Sequence, residues 1–386
     1  MPQNTTQKLS RRTFVSLAAA TVASTRLSAA QAVPASLVYI GSTANGPDDG
    51  IHVAQWNAAS GTLSGLRLVS AVKEPSFLAL TRHGASRLLF AGIQSAPKAG
   101  ALAAYRIEAS GDLKPINTVA DPNGEGVHSL VDHTGRCLVS ANYTAGTIVT
   151  CKIAPDGHLS DLVSNIQFTG HGPMASRQKA PHAHGVAIAP DNRFALINDL
   201  GTDRIMVYKL NAATAELTPN DPPYYTAAPA SGPRHLAFHP NGKWAYSINE
   251  LDSTITLFRW NAAAGTLTLL ATTPTLPPGG DFATNRAGEL AFDHTGHFLY
   301  ACNRDSVEEL LSYSIGPAGH LTLIGRTPLG GKEARHFTIS PDNRFLLCAR
   351  QFSNDVAVFS RNLQTGALSP TPAHYPVNLP SCVLFA

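Results

Sequence analysis

The feature that most constrains this chain is an internal repeat. A short apolar strand, a tight turn of the Pro-Asp-Asn or His-Thr-Gly type and a second apolar strand recur over 77–92, 128–143, 184–200, 235–250, 289–304 and 336–351. The turn residues Gly84, Gly135, Asn192, Gly242, Gly296 and Asn343 lie 51, 57, 50, 54 and 47 residues apart. Gly and Asn tolerate the positive φ that tight hairpins demand. A third alternating strand follows each hairpin, as at 147–151, 204–208, 254–258 and 356–359, and a fourth begins at a Gly-x-Leu or similar turn near Leu63, Leu113, Leu267, Leu321 and Leu368. Four short antiparallel strands about every 50 residues mark the blade of a β-propeller. Helical periodicity is absent after the leader, so the predicted class is all-β.

The ends set the count. Residues 381–385 read as a first strand with no hairpin to follow, and 37–42 as a second strand with no first before it. Joined, they make a seventh blade from both termini and remove the open edge that would invite aggregation. The sequence thus predicts one domain over 35–386, a seven-bladed propeller of four-stranded antiparallel blades.

Composition narrows the alternatives. Only 14% of the 386 residues are charged and 44% are hydrophobic, against roughly 25% charged in ordinary soluble chains. Disorder, collagen-like repeats and coiled coils are excluded on that balance. Residues 1–32 read as an export signal: Ser10-Arg11-Arg12-Thr13-Phe14-Val15 resembles the twin-arginine consensus, an apolar stretch follows, and small residues near 28–32 offer cleavage sites. The export machinery for folded twin-arginine substrates is therefore an expected partner, and a periplasmic or secreted location is expected, with no membrane insertion after signal removal. Losing Lys8, Arg11, Arg12 and Arg26 takes the net charge from +3 to −1, so the basic pI does not argue for nucleic acid. The five cysteines form no CxxC pair and are expected as buried thiols. Trp56, Trp244 and Trp260 fall on strands and read as blade packing.

Rotational symmetry turns the repeat register into a contact argument, because equivalent positions lie on rings around the axis. The start of each first strand and the end of each second share one mouth of the channel. Before the first-strand core the ring reads Ser76, Val127, His184, Arg234, Gly288 and Arg335, and the next reads Phe77, His128, Gly185, His235, Glu289 and His336. The end of the second strand gives Tyr143, Leu200, Glu250, Arg304 and Gln351, preceded by Asn142, Asp199, Asn249, Asn303 and Arg350. A purely structural propeller would fill these positions with small or β-branched residues. Clustered ionisable groups point to a site, and His184, Arg234, Glu250 and Arg304 are placed to converge on one small molecule. Arginine pairs suit a carboxylate, phosphate or developing oxyanion, and a histidine beside a carboxylate supplies a base. If 181–184 is extended, alternation sends His182 and His184 to opposite faces, which disfavours a shared metal. His182 then reads as a loop residue. No Gly-x-Ser-x-Gly elbow is present.

The segments Gly232-Pro233-Arg234-His235, Tyr246-Ser247-Ile248-Asn249-Glu250-Leu251, Tyr300-Ala301-Cys302-Asn303-Arg304 and Arg335-His336-Phe337 closely resemble the seven-bladed propeller lactonase family. That family includes the bacterial propeller-type 6-phosphogluconolactonase and the fungal carboxy-muconate lactonizing enzyme. The resemblance covers the chain from about residue 35 to its end. It implies a carboxylic-ester hydrolase of carbohydrate metabolism, in the pentose phosphate pathway, that opens a small anionic sugar-acid lactone without metal or other cofactor. His184, Arg234, Glu250 and Arg304 match the catalytic set of the muconate branch. On this expectation His184, assisted by Glu250, draws a proton from water, while Arg234 and Arg304 stabilise the oxyanion and anchor an anionic group. His128, Asn142, Tyr143, His235, Arg335 and Gln351 line the substrate pocket. Replacing Arg304 by Ala would then cut turnover while leaving the melting temperature nearly unchanged. Two features depart from the pattern: Val307-Glu308-Glu309-Leu310 replaces a small-polar turn, and the leader is unusual for an enzyme of a cytoplasmic phosphosugar. A muconate-type cycloisomerase, a non-catalytic exported binding propeller and a six-bladed metal-dependent gluconolactonase are the rival readings.

Overall fold

The structure, a computed structural model, describes residues 36–96, 99–124 and 126–386. The export leader predicted over 1–32 lies outside the described residues. Among the described residues, seven four-stranded antiparallel sheets account for all the strands, and the only helical elements are single 3₁₀ turns at Phe282–Thr284 and Gln351–Ser353. Six blades are contiguous in sequence. The seventh joins the C-terminal strand Pro380–Phe385 to Ser36–Ser42, Ile51–Asn57 and Thr62–Ser70, with Gly41 opposite Cys382. All six predicted turn residues take positive φ, between 56° and 74°, which explains why Gly or Asn stands at each.

Burial runs outward from the axis. Within a blade the second strand is enclosed on both faces, as in Phe194–Asp199, where every residue is buried. The fourth strand keeps only an alternating apolar edge, as in Leu113–Asp121. The core is split into seven apolar clusters, one at each interface between neighbouring blades. Trp56 illustrates the arrangement: it meets Phe345 of blade six at 5.4 Å and Phe385 of its own blade at 5.5 Å, both edge to face. All five cysteines are free and buried, and burial raises the pKa of each thiol. The first strands crowd together around the axis, so residues at their entry meet across blades.

Candidate active site

The entries of the inner strands are irregular in a way that matters. In blades three to six the antiparallel register slips there, between Ala183 and Gly185, Pro233 and His235, Ala287 and Leu290, and Ala334 and His336. A bulge sets two residues against one on the partner strand and breaks the alternation of faces. Consecutive residues can therefore both look into the channel. Arg234 and His235 do so: both line a cavity of about 150 Å³, together with Arg335, Thr43, Glu74 and Ser76.

Glu250 lies behind that wall, 3% exposed. Its Oε1 accepts from Arg177 at 2.5 Å, and its Oε2 accepts from Arg304 at 3.0 Å and lies 3.2 Å from Nε of Arg234. Burial pushes its pKa up, but Arg304, Arg234 and Arg177 outweigh burial and hold it well below the usual carboxylate range. Arg304 is fully buried at 0%. Its guanidinium bridges Glu250 and Glu333, and these two carboxylates overcome the effect of burial to raise its pKa. Arg234 is also pinned by the carbonyl of Gly288 at 2.8 Å. Arg335, by contrast, has a side chain 28% exposed, and among the described residues the nearest carboxylate oxygen, on Glu333, is 4.0 Å away. It is the least compensated guanidinium facing the cavity.

The histidines form a separate array. The Nδ1 of His235 sits 2.9 Å from both carboxylate oxygens of Glu289, and its Nε2 is 3.2 Å from Nδ1 of His184. His184 presents its ring to the edge of Tyr143 at 5.5 Å, and its Nε2 makes no hydrogen bond to a described residue. Burial, reinforced by Arg234 and His235, lowers the pKa of His184 well below its ordinary value. His128, His235 and His336 are depressed as well, burial again being the main cause.

The mouth thus gathers His184, Arg234, Glu250, Arg304, His128, Tyr143, His235, Arg335 and Gln351. It does not gather Asn142. That amide is turned away from the mouth, donating to Asp121 at the end of blade one's fourth strand at 2.9 Å and to Thr147 of its own blade at 3.1 Å. Asn249 and Asn303 use their amides in the same way, on Thr254 and Glu309, so in blades two, four and five this ring ties the second strand to the strand that follows. Three further expectations change. Glu250 does not assist His184, because both its oxygens are taken by arginines. Arg304 exposes no surface to a ligand, so it braces two carboxylates. The bulge at His184 also breaks the alternation predicted around it: His182 precedes the strand and stacks on Tyr143 at 4.4 Å, so both imidazoles pack against one tyrosine. Gln351 stands one step back, its amide donating to Thr43 at 2.7 Å.

Several members were missed. Two positions before the first ring stand Glu74, His182, Gly232, Arg286 and Glu333, so extending the register by two residues would have found Glu333. Thr43 is the closing blade's member of the ring that holds Glu250 and Gln351; its N–H donates to Leu379 as theirs donate to Gly232 and Glu333. Arg177 has no counterpart in the repeat, for it rides on the long connection 168–182. The unusual pair Glu308 and Glu309 is also used. Glu308 accepts the backbone N–H of Glu333 at 2.9 Å, and Glu309 accepts from Asn303 at 2.8 Å.

The family model described as Lactonase, 7-bladed beta-propeller, matches residues 37–385. A 6-phosphogluconolactonase of Formosa agariphila is 33% identical over 347 residues, covering 88% of this chain and 97% of the relative. A 6-phosphogluconolactonase of Bacillus subtilis is 30% identical, covering 90% and 97%. Among solved structures, the periplasmic gluconolactonase of Pseudomonas aeruginosa superimposes with a TM-score of 0.84 at 29% identity, covering 91% of this chain and 99% of that one.

Proposed function

The chain belongs to the seven-bladed β-propeller lactonase family, a lactone-hydrolysing carboxylic-ester hydrolase by that membership, and on this premise we propose which lactone it opens and how. The substrate is a sugar-acid lactone of the 6-phosphoglucono-1,5-lactone type or an unphosphorylated aldonolactone. The supporting observation is the cavity at the mouth, where Arg234, His235 and Arg335 face the same small volume, with His184 next to it, hydrogen-bonded to His235. Names carried by the relatives from Formosa agariphila, Bacillus subtilis and Pseudomonas aeruginosa support the same pair of substrates. The last, together with the resemblance of residues 10–15 to the twin-arginine consensus, supports action outside the cytoplasm.

In the proposed reaction His184 accepts a proton from water as its oxygen attacks the lactone carbonyl. The imidazole is kept neutral by its surroundings, which leaves it ready to accept at physiological pH. The guanidiniums of Arg335 and Arg234 stabilise the negative charge that develops on the carbonyl oxygen, and Arg335 is the cation with charge to spare for an anionic substituent. Collapse of the tetrahedral intermediate breaks the bond between C1 and the ring oxygen. That oxygen takes the proton back from His184, and the new carboxylic acid releases its remaining proton to solvent as the sugar acid leaves as its carboxylate. Glu250 holds Arg234 in place, and Arg304 in turn fixes Glu250. No step calls for a metal.

The test is a panel of 6-phosphoglucono-1,5-lactone, glucono-1,5-lactone and a muconate-type diacid, each assayed with and without chelator. Turnover of one of the two sugar lactones, unaffected by chelator, is expected. Turnover of the diacid alone, or of none, overturns the proposal.

A further inference from the structure

Glu289 is a buried carboxylate that the proposed reaction does not use. It occupies the ring position held in other blades by Phe77, His128, His235 and His336, one acid among three histidines. Its hydrogen-bond partners are Nδ1 of His235 and the backbone N–H of Leu290, at 2.9 and 3.0 Å, with Nε2 of His336 at 4.0 Å from Oε2.

The neighbouring contacts assign the tautomers. His128 accepts the N–H of Val186 on Nδ1, and His336 accepts that of Val383 on Nδ1, so both carry their proton on Nε2. His235 is the reverse. Its Nδ1 faces an acceptor-only carboxylate and must carry the proton. Its Nε2 is then a lone pair, and at 3.2 Å it accepts Nδ1–H of His184. That leaves Nε2 of His184 unprotonated. His235 itself lines the cavity, but both its nitrogens are committed, so it has none to offer water.

We propose that Glu289, acting through His235, fixes His184 in the tautomer whose Nε2 is the proton acceptor, so that Glu289 and His235 are positioning residues for lactone opening. The inference rests on the reading of His184 as base. The chain of donors also supports the imidazolium that forms. His184 is faced by Arg234, Arg335, His128 and His235, a cationic setting in which a new positive charge is costly. Glu250 is saturated by three arginines, so the carboxylate hydrogen-bonded to His184 through one intervening ring is Glu289. A glutamine there keeps the shape and removes the charge. Turned so that its amide donates, it also reverses both tautomers and puts a proton on the nitrogen that must accept one.

The experiment measures kcat, KM and pH profile for Glu289→Gln in the parent and in a His184→Ala background. General-base contributions are typically 10²–10⁴-fold. Glu289→Gln should lower kcat by about 10²-fold or more, leave KM little changed and move the acid limb to lower pH, and it should have no further effect once His184 is Ala. Unchanged kcat in Glu289→Gln with His184→Ala inactive overturns the relay and leaves the base assignment standing. An active His184→Ala overturns both. Equal losses in both backgrounds assign Glu289 a structural role and overturn the relay. If Glu289→Gln does not fold, Glu289→Asp replaces it: a kcat loss without a KM change supports the relay, and unchanged kcat overturns it.

Discussion

Arg304→Ala separates two roles that the sequence could not. As an anchor for substrate, the residue would be dispensable for folding. The structure makes it a brace, since it is 0% exposed and holds Glu250 at 3.0 Å on one side and Glu333 on the other. Removal leaves Glu250 with Arg177 at 2.5 Å and Arg234 at 3.2 Å, but Glu333 keeps only Arg286 at 3.7 Å and Arg335 at 4.0 Å. Breaking a buried ion pair typically costs about 3–5 kcal/mol, because a charge is left without its partner. The lower end applies here, since each carboxylate retains some cationic company. Unfolding entropy of about 2.1 cal/mol/K per residue gives a domain of about 350 residues roughly 0.7 kcal/mol per degree. A cost of about 3 kcal/mol then lowers Tm by about 4 °C. Calorimetry on Arg304→Ala and on Arg304→Met, which keeps most of the volume, checks this beside a lactone assay. Turnover falls too in this account, because Arg234 and Glu250 lose their fixed geometry. A Tm within about 1 °C of the parent for both variants, well under the shift expected for a buried pair, would refute the bracing role.

Two further predictions follow from the same geometry. The pKa of His184 lies below 6.5, through burial and then through Arg234 and His235. The unprotonated, active form therefore persists below pH 6.5, and kcat/KM declines only as pH falls through the depressed value. A pH–rate profile with its acid midpoint at or above 6.5 would contradict this. Deleting residues 380–386 removes the strand Pro380–Phe385, which pairs with Ser36–Ser42 and carries the fully buried Cys382 and Val383. The shortened chain should lose its cooperative thermal transition, and an unchanged Tm would show that blade seven closes without it.

The blade count, the closure by both termini and the turn residues were all legible, because each rests on a periodicity that backbone geometry enforces. Ring membership was legible for the same reason. Facing was not. Arg234 and His235 are adjacent, and a regular strand would turn them to opposite sides. The bulge between Pro233 and His235 overrides that rule, and nothing in the local residues announces it. Pairing was hidden as well: whether Glu250 serves His184 or the arginines depends on side-chain reach across blades, which register does not encode. Arg177 could not be found by repeat at all, since the connection 168–182 is longer than its equivalents 227–232, 275–284 and 329–333 and carries residues they lack.

Asn142 and Glu333 together indicate how such a sequence separates scaffold from site. Asn142 belongs to a ring filled by Asn in blades two, four and five, and its hydrogen bonds are the ones its equivalents make. What recurs from blade to blade in this way serves the blade itself. Glu333 is the opposite case. Its equivalent in blade four is Gly232, at φ +59°, and Glu333 itself takes φ +61°. A non-glycine residue in the left-handed region costs roughly 1–2 kcal/mol, so the backbone at this position favours glycine. Blade six carries a glutamate there, buried among Arg304, Arg286 and Arg335. Strain of this kind survives where the surroundings hold it and the side chain is used. Glu74, the equivalent in blade one, is likewise left-handed at +47° and lines the cavity. Glu74 and Glu333 thus depart at a backbone cost from the glycine of blade four, and reading the repeat for such exceptions finds both.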